Sequence, residues 1–239
     1  MNKSVRTSKR AAEDRGQRDH GWLQARFTFS FANYVDPDHM NFRSLRVMNN
    51  DSIQPGGGFP SHPHRDMEIL TYVIKGQLEH RDSMGNGSII EAGNLQYMSA
   101  GSGVKHSEFN PSHQHITHLY QIWLTPNQTG GEPRYAEKRL TNQVIQNELS
   151  LIFSGDGRDG STEIRQNADV YFGHMEPDHV IAVPASTSAP HAWVQIISGA
   201  ATVLGDTLQA GDGLAIENAI DAFDIETSAE SRLFVFRLS

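Results

Sequence analysis

Apolar residues in this chain alternate with polar ones or gather in short β-branched runs. They almost nowhere recur at the three-and-four spacing of a helix. The runs are Leu45–Met48, Ile69–Ile74, Gln77–His80, Ile116–Leu124, Trp193–Ile197, Ala201–Leu204, Phe223–Ile225 and Leu233–Leu238. Glycine turns punctuate them at Lys75-Gly76-Gln77, Gly85-Asn86-Gly87, Ala92-Gly93-Asn94, Ser198-Gly199-Ala200 and Ala210-Gly211-Asp212. Many short strands at regular spacing predict an all-β sandwich or barrel. The stretch Gly130–Leu149 is polar and contains Pro133; it reads as a linker, with a short helix expected near Ala136–Leu149.

The pattern occurs twice. "EILTYVIKGQLEH" at 68–80 matches "HAWVQIISGAATVL" at 191–204 in kind, with Gly76 and Gly199 in register at an offset of 123. "EAGNLQYMSAG" at 91–101 matches "QAGDGLAIENA" at 209–219, with Gly93 on Gly211 at an offset of 118. A shorter hairpin in the second copy accounts for the difference. The expected organisation is two tandem barrels, residues 1–130 and 131–239.

Composition narrows the classes. The 239 residues suffice for two small domains with real cores. A net charge of −8 gives no general attraction to nucleic acid. The N-terminus is locally basic, with Lys3, Arg6, Lys9, Arg10, Arg15 and Arg18 against Glu13 and Asp14; it reads as a solvated basic segment. Cysteine is absent, which excludes disulfides and thiolate metal sites. No apolar run reaches the ~18 residues of a membrane span, and no signal-peptide pattern opens the chain, so a cytoplasmic protein is expected.

Candidate chemistry begins at "SHPHRD", where His62 and His64 flank Pro63. In a strand, residues two apart share a face, so both imidazoles project together. A second such pair, His106 and Glu108, lies in "KHSEFN". Strands carrying the two pairs offer three imidazoles and one carboxylate to one point inside a barrel. That donor set suits divalent iron, nickel, cobalt, copper, manganese or zinc. Four protein ligands on a six-coordinate ion leave two positions for substrate or dioxygen. Gly56, Gly57 and Gly58 would let a backbone pass close to the ligands. Pro63 cannot donate to a ladder, which places its strand at an edge or a strand start. His113 and His115 read as loop residues. In the second copy the same offsets lead to Ala185, Thr187, Asp224 and Glu226, with no imidazole, so the second barrel is expected to bind no metal.

These residues resemble the cupin motifs: Gly56, His62, His64 and Glu68 match the first motif, with Gly76 one residue late, and His106 and Asn110 match the second. Ser99 stands where that second motif has a proline, and the spacing from Gly101 to His106 is longer. The resemblance is closer to the pirin family of bicupins. It is carried by "DHGWL", "FTFSFANYVDPDHM", "HPHRDMEILTYVIKGQLEHRDSMGN", "MSAGSGVKHSEFNPS" and "HLYQIWLTP". It covers most of residues 5–135 and is weak beyond them. It implies two jelly-roll-like barrels with metal in the first only. Residue parity does not choose between Glu68 and Glu108 as fourth ligand; the pirin pattern implies Glu108, with Glu68 behind it.

The resemblance also implies an activity. Some pirins are similar to quercetin 2,3-dioxygenases, which cleave a flavonol with dioxygen and release carbon monoxide. On that reading Glu108 takes the 3-hydroxyl proton, His62, His64 and His106 hold the metal, and Fe(II) is the expected ion. A different implication is a non-enzymatic one, in which the metal tunes a surface for a regulatory protein and the Arg6–Arg18 stretch meets an acidic partner. A metal that merely stabilises the barrel is the plainest alternative.

Overall fold

The computed structural model describes residues 4–140 and 144–239. They divide into two units, residues 16–41 with 45–140 and residues 4–15 with 42–44 and 144–239. Each unit is built from one seven-stranded and one four-stranded sheet.

In the first unit, the N-terminal barrel, the large sheet runs Arg134–Arg139, Asn94–Ser99, Glu68–Lys75, Thr117–Leu124, Leu45–Ile53, Leu23–Phe27, Gly16–Asp19. The small sheet runs Gly58–His64, Val104–Phe109, Gln77–Asp82, Gly87–Glu91. The C-terminal barrel repeats the plan. Its central strands are Gly213–Glu217, His191–Ser198, Ser231–Leu238 and Ala168–Met175, and its small sheet holds Val180–Val183, Phe223–Thr227, Ala200–Val203 and Asp206–Gln209. The repeat read from the sequence has a backbone basis. Gly76, Gly93, Gly199 and Gly211 all sit at φ between 79° and 90°, the left-handed region that hairpin turns demand.

Two segments lie where the sequence pattern did not put them. Arg6–Arg10 is a strand, paired along its length with Gly213–Glu217 of the C-terminal barrel. Arg6 meets Glu217 at 2.8 Å and Lys9 meets Asp212 at 2.8 Å, so the basic segment finds acidic partners within its own chain. The expected helix near Ala136–Leu149 does not form. Arg134–Arg139 is instead a strand against Asn94–Ser99 of the N-terminal barrel, and residues 141–143 fall outside the described ones. The two strands solve one problem. Each covers the otherwise open edge of the equivalent strand in its barrel, a row of unpaired backbone groups. The units therefore exchange both ends of the 1–130 and 131–239 division.

The two interiors differ. In the C-terminal barrel a contiguous apolar cluster fills the space, with Val183, Val194, Ile196, Val203, Ile225 and Val235 among its members. In the N-terminal barrel the apolar packing falls into smaller groups, one around Leu23, Phe27, Ile53, Val73 and Leu119 and another around Ile69, Met98 and Val104. Polar side chains occupy the rest of its inner face.

Candidate metal centre

The site is assembled by the two strands that carry the histidine pairs. Gly58–His64 is the edge strand of its sheet, as Pro63 requires, and it pairs antiparallel with Val104–Phe109. His62 lies directly opposite His106. The register then shifts, so that Glu108 faces Phe59. Gly58 permits this approach: a Cβ there would stand 2.4 Å from the Glu108 carbonyl oxygen.

The three imidazoles converge. Their ring centroids are 4.4 Å apart for His62 and His106, 4.8 Å for His62 and His64, and 4.8 Å for His64 and His106. One ring nitrogen from each lies within 4.8 Å of the others. His62 Nδ1 donates to the Pro60 carbonyl at 2.8 Å, which fixes its tautomer and leaves Nε2 with a free lone pair. His64 Nε2 and both nitrogens of His106 are buried with no hydrogen-bond partner. Burial, with the neighbouring imidazoles, pushes His64 down to about 4 and His106 down to about 2. Both rings are therefore neutral with lone pairs available, the state a metal requires. One nitrogen from each ring faces the others, and a divalent cation there would satisfy all three together.

Glu108 joins from the flank. Its carboxylate lies within 4.8 Å of His106 and of a residue that the sequence did not single out, His80. The carboxylate is 3% exposed and accepts from Gln121 Nε2 at 2.7 Å and Thr71 Oγ1 at 3.3 Å. Burial raises it to about 7, while those two donors hold it from going higher. His80 is engaged elsewhere: Nε2 contacts Asp82 at 3.3 Å, Nδ1 contacts Gln96 at 3.1 Å, and the ring stacks on Tyr135. It is a hydrogen-bonded neighbour of the cluster and, unlike His62, His64 and His106, has no free nitrogen.

Glu68 is apart from this group. Tyr97 and Ser99 hydroxyls donate to it, each at 2.5 Å. Ile69 lines the cavity and Thr71 binds Glu108, so Glu68 points to the other face of its strand. The parity shared by 62, 64, 66 and 68 does not survive the corner at Asp66, whose φ is +49°. His113 and His115 lie in an exposed loop.

The imidazoles and Glu108 open onto a cavity of about 270 Å³ between the two sheets of the N-terminal barrel. Phe31, Phe59 and Trp123 give it aromatic walls, and Trp123 packs edge-on against His64 at 4.9 Å. The remaining wall is polar: Asn49, Asp51 and Gln121. Burial, reinforced by the charge of Glu108, raises Asp51 to about 8. Asn49 Oδ1 and Asp51 Oδ1 have no hydrogen-bond partner. These residues carried a sequence signal. Leu45, Val47, Asn49, Asp51 and Ile53 share one phase, and polar residues on an otherwise apolar phase mark a lined cavity.

At the equivalent place in the C-terminal barrel the inward positions are Ile181, Val183, Phe223 and Ile225, all buried. Asp224 and Glu226, to which the sequence offset led, are exposed; the true correspondence is shifted by one residue. Among the described residues, both clusters of ligand-capable side chains are in the N-terminal barrel.

Comparison with known proteins agrees with this architecture. Residues 8–124 match the family model described as Pirin, and residues 151–238 match the model described as Quercetinase C-terminal cupin domain. A quercetin 2,3-dioxygenase of Escherichia coli K12 is 44% identical over 229 residues, covering 96% of this chain and 97% of the relative. The chain belongs to the pirin family. Among solved structures, the E. coli bacterial pirin YhhW in complex with nickel(II) superposes with a TM-score of 0.92 at 42% identity, covering 98% of this chain and 99% of that one. A separate crystal structure of YhhW gives a TM-score of 0.93. The pirin fold is thus all-β with two cupin-type domains, as the repeat and the motifs implied. No helix among the described residues is long and apolar enough to cross a membrane.

Proposed function

We propose that this pirin is a metal-dependent dioxygenase that cleaves flavonols such as quercetin with dioxygen and releases carbon monoxide. His62, His64, His106 and Glu108 are the proposed ligands of one divalent ion. Fe(II) is the proposed occupant, and nickel, the ion in the E. coli relative's structure, suits the same donors. The observation that carries the reading is the set of neutral, unpartnered imidazoles of His64 and His106 converging with His62 on an aromatic-walled cavity.

When bound, the ion supplies Lewis acidity to a chelating hydroxyl–ketone pair and a centre at which dioxygen is activated. The chain's own groups do the rest. Glu108 takes the proton of the chelating hydroxyl. Gln121 and Thr71 fix the orientation of that carboxylate. Phe31, Phe59 and Trp123 hold a planar ring system and keep water away from it.

The test is direct. Metal-loaded protein with quercetin in air is expected to bleach the flavonol and release one carbon monoxide per molecule consumed. His106→Ala is expected to lose most of its bound metal by elemental analysis and to fall to the rate of free metal. Bleaching by wild type no faster than free metal ends the proposal.

A further inference from the structure

Three polar residues that line the histidine cavity beside Glu108 are not needed as ligands. Asn49, Asp51 and Gln121 are 2%, 3% and 8% exposed, and they lie on neighbouring strands with Gln121 directly opposite Asn49. Gln121 is occupied by Glu108 and Trp123. Oδ1 of Asn49 and Oδ1 of Asp51 have no hydrogen-bond partner in the protein.

The fold does not require polar residues there. The C-terminal barrel supplies the comparison, because its strands pair in the same order. Thr71 corresponds to Val194 at the repeat offset, and both stand opposite the next strand at Gln121 and Val235 respectively. One strand further, Asn49 corresponds to Tyr171 and Asp51 to Gly173. Val194, Val235 and Tyr171 all belong to the apolar interior of the C-terminal barrel. The same architecture therefore closes with apolar residues at these places, where the N-terminal barrel keeps polar ones.

We infer that Asn49 and Asp51 bind hydroxyl groups of the substrate other than its metal-chelating pair, and so select polyhydroxylated aromatic molecules over simple chelators. Residues two apart on a strand face are separated by roughly 7 Å. Two acceptors at that spacing suit two hydroxyls on a planar aromatic frame, which the aromatic walls accommodate. The inference rests on the flavonol reading for the chelating pair and adds what the rest of the substrate must carry.

The test compares two probes on the nickel-loaded full chain without oxygen, by equilibrium fluorescence titration. Quercetin carries four hydroxyls beyond the chelating one, and 3-hydroxyflavone carries none. Wild type is expected to bind quercetin at least about tenfold more tightly, although quercetin is the less apolar of the two. Asn49→Leu and Asp51→Leu are each expected to weaken quercetin about 3–10-fold and 3-hydroxyflavone less than twofold. Asp51→Asn keeps an acceptor and is expected to stay within about threefold of wild type for quercetin. Equal affinity of wild type for both probes overturns the inference, as does an equal loss of both in the leucine variants. The ligand comparison on wild type stands alone should a leucine variant not fold. Carbon monoxide release in air is measured separately. Discrimination without carbon monoxide supports the wall and removes the dioxygenase reading. Carbon monoxide without discrimination removes the wall alone, and binding of neither probe removes both.

Discussion

Gln121→Met is the most informative single change to the proposed chemistry. Gln121 Nε2 donates to Glu108 Oε2 at 2.7 Å, and both side chains are buried. Methionine has a similar length and no donor. A hydrogen bond to a charged group contributes about 1.5–3 kcal/mol, and one pKa unit is about 1.4 kcal/mol. The donor stabilises the ionised carboxylate, so its loss moves the Glu108 proton affinity upward, by roughly 1–2 units. If Glu108 is the base, the acid limb of the kcat–pH profile shifts toward alkaline pH by about one unit. The variant then loses about tenfold in kcat at the low-pH end and recovers to within about twofold above its shifted limb. Thr71→Val removes the longer 3.3 Å bond and is expected to shift the limb less. The assay is oxygen-dependent flavonol bleaching from pH 5.5 to 8.5, with metal content measured at each pH and free-metal rates subtracted. A uniform loss of kcat at every pH, with metal retained, refutes the assignment of Glu108 as base.

Three further outcomes follow from the structure. Burial raises Asp51 to about 8, so the folded metal-free protein keeps a proton that the unfolded chain releases near its ordinary value of 3.8. The contribution is full below about pH 4 and is lost as pH rises toward 8, with a slope of up to about 1.4 kcal/mol per pH unit; in urea unfolding of metal-free protein, wild type should lose roughly 2–3 kcal/mol more between pH 5 and 7 than Asp51→Asn does. Gly199→Ala places a Cβ 2.3 Å from the Glu230 carbonyl oxygen at φ +83°, and thermal unfolding should show a loss of at least about 2 kcal/mol. Removing residues 1–10 uncovers the Gly213–Glu217 edge and is expected to lower the unfolding temperature and promote aggregation, while leaving metal content unchanged; an unaltered melting curve and unaltered light scattering contradict that role for the strand.

The candidate residues were legible because strand periodicity alone puts 62 with 64 and 106 with 108, and antiparallel pairing sets His62 directly opposite His106. The barrels were legible from glycines whose positive φ ties them to turns. What the sequence concealed was non-local. The corner at Asp66 breaks the phase between His64 and Glu68, and nothing in "HRDME" announces it. "RYAEKR" has too few apolar residues to declare itself a strand; its pairing depends on an edge 40 residues earlier, Arg134 against Ser99 through Arg139 against Asn94. Arg6–Arg10 looked like a solvated segment because its acidic partners, Asp212 and Glu217, are remote in the chain. Asn49 and Asp51 were readable in principle, as polar breaks in an apolar phase, but a single sequence does not say that the face is turned inward.

The placement of Arg6–Arg10 orders events during synthesis. Every residue that the N-terminal barrel uses, 16–41 and 45–140, has been made before Gly213 is added. The first strand of the chain, by contrast, must wait roughly 200 residues for Gly213–Glu217 to emerge. A nascent pirin of this kind can therefore complete its histidine cavity while its own leading segment is still unpaired.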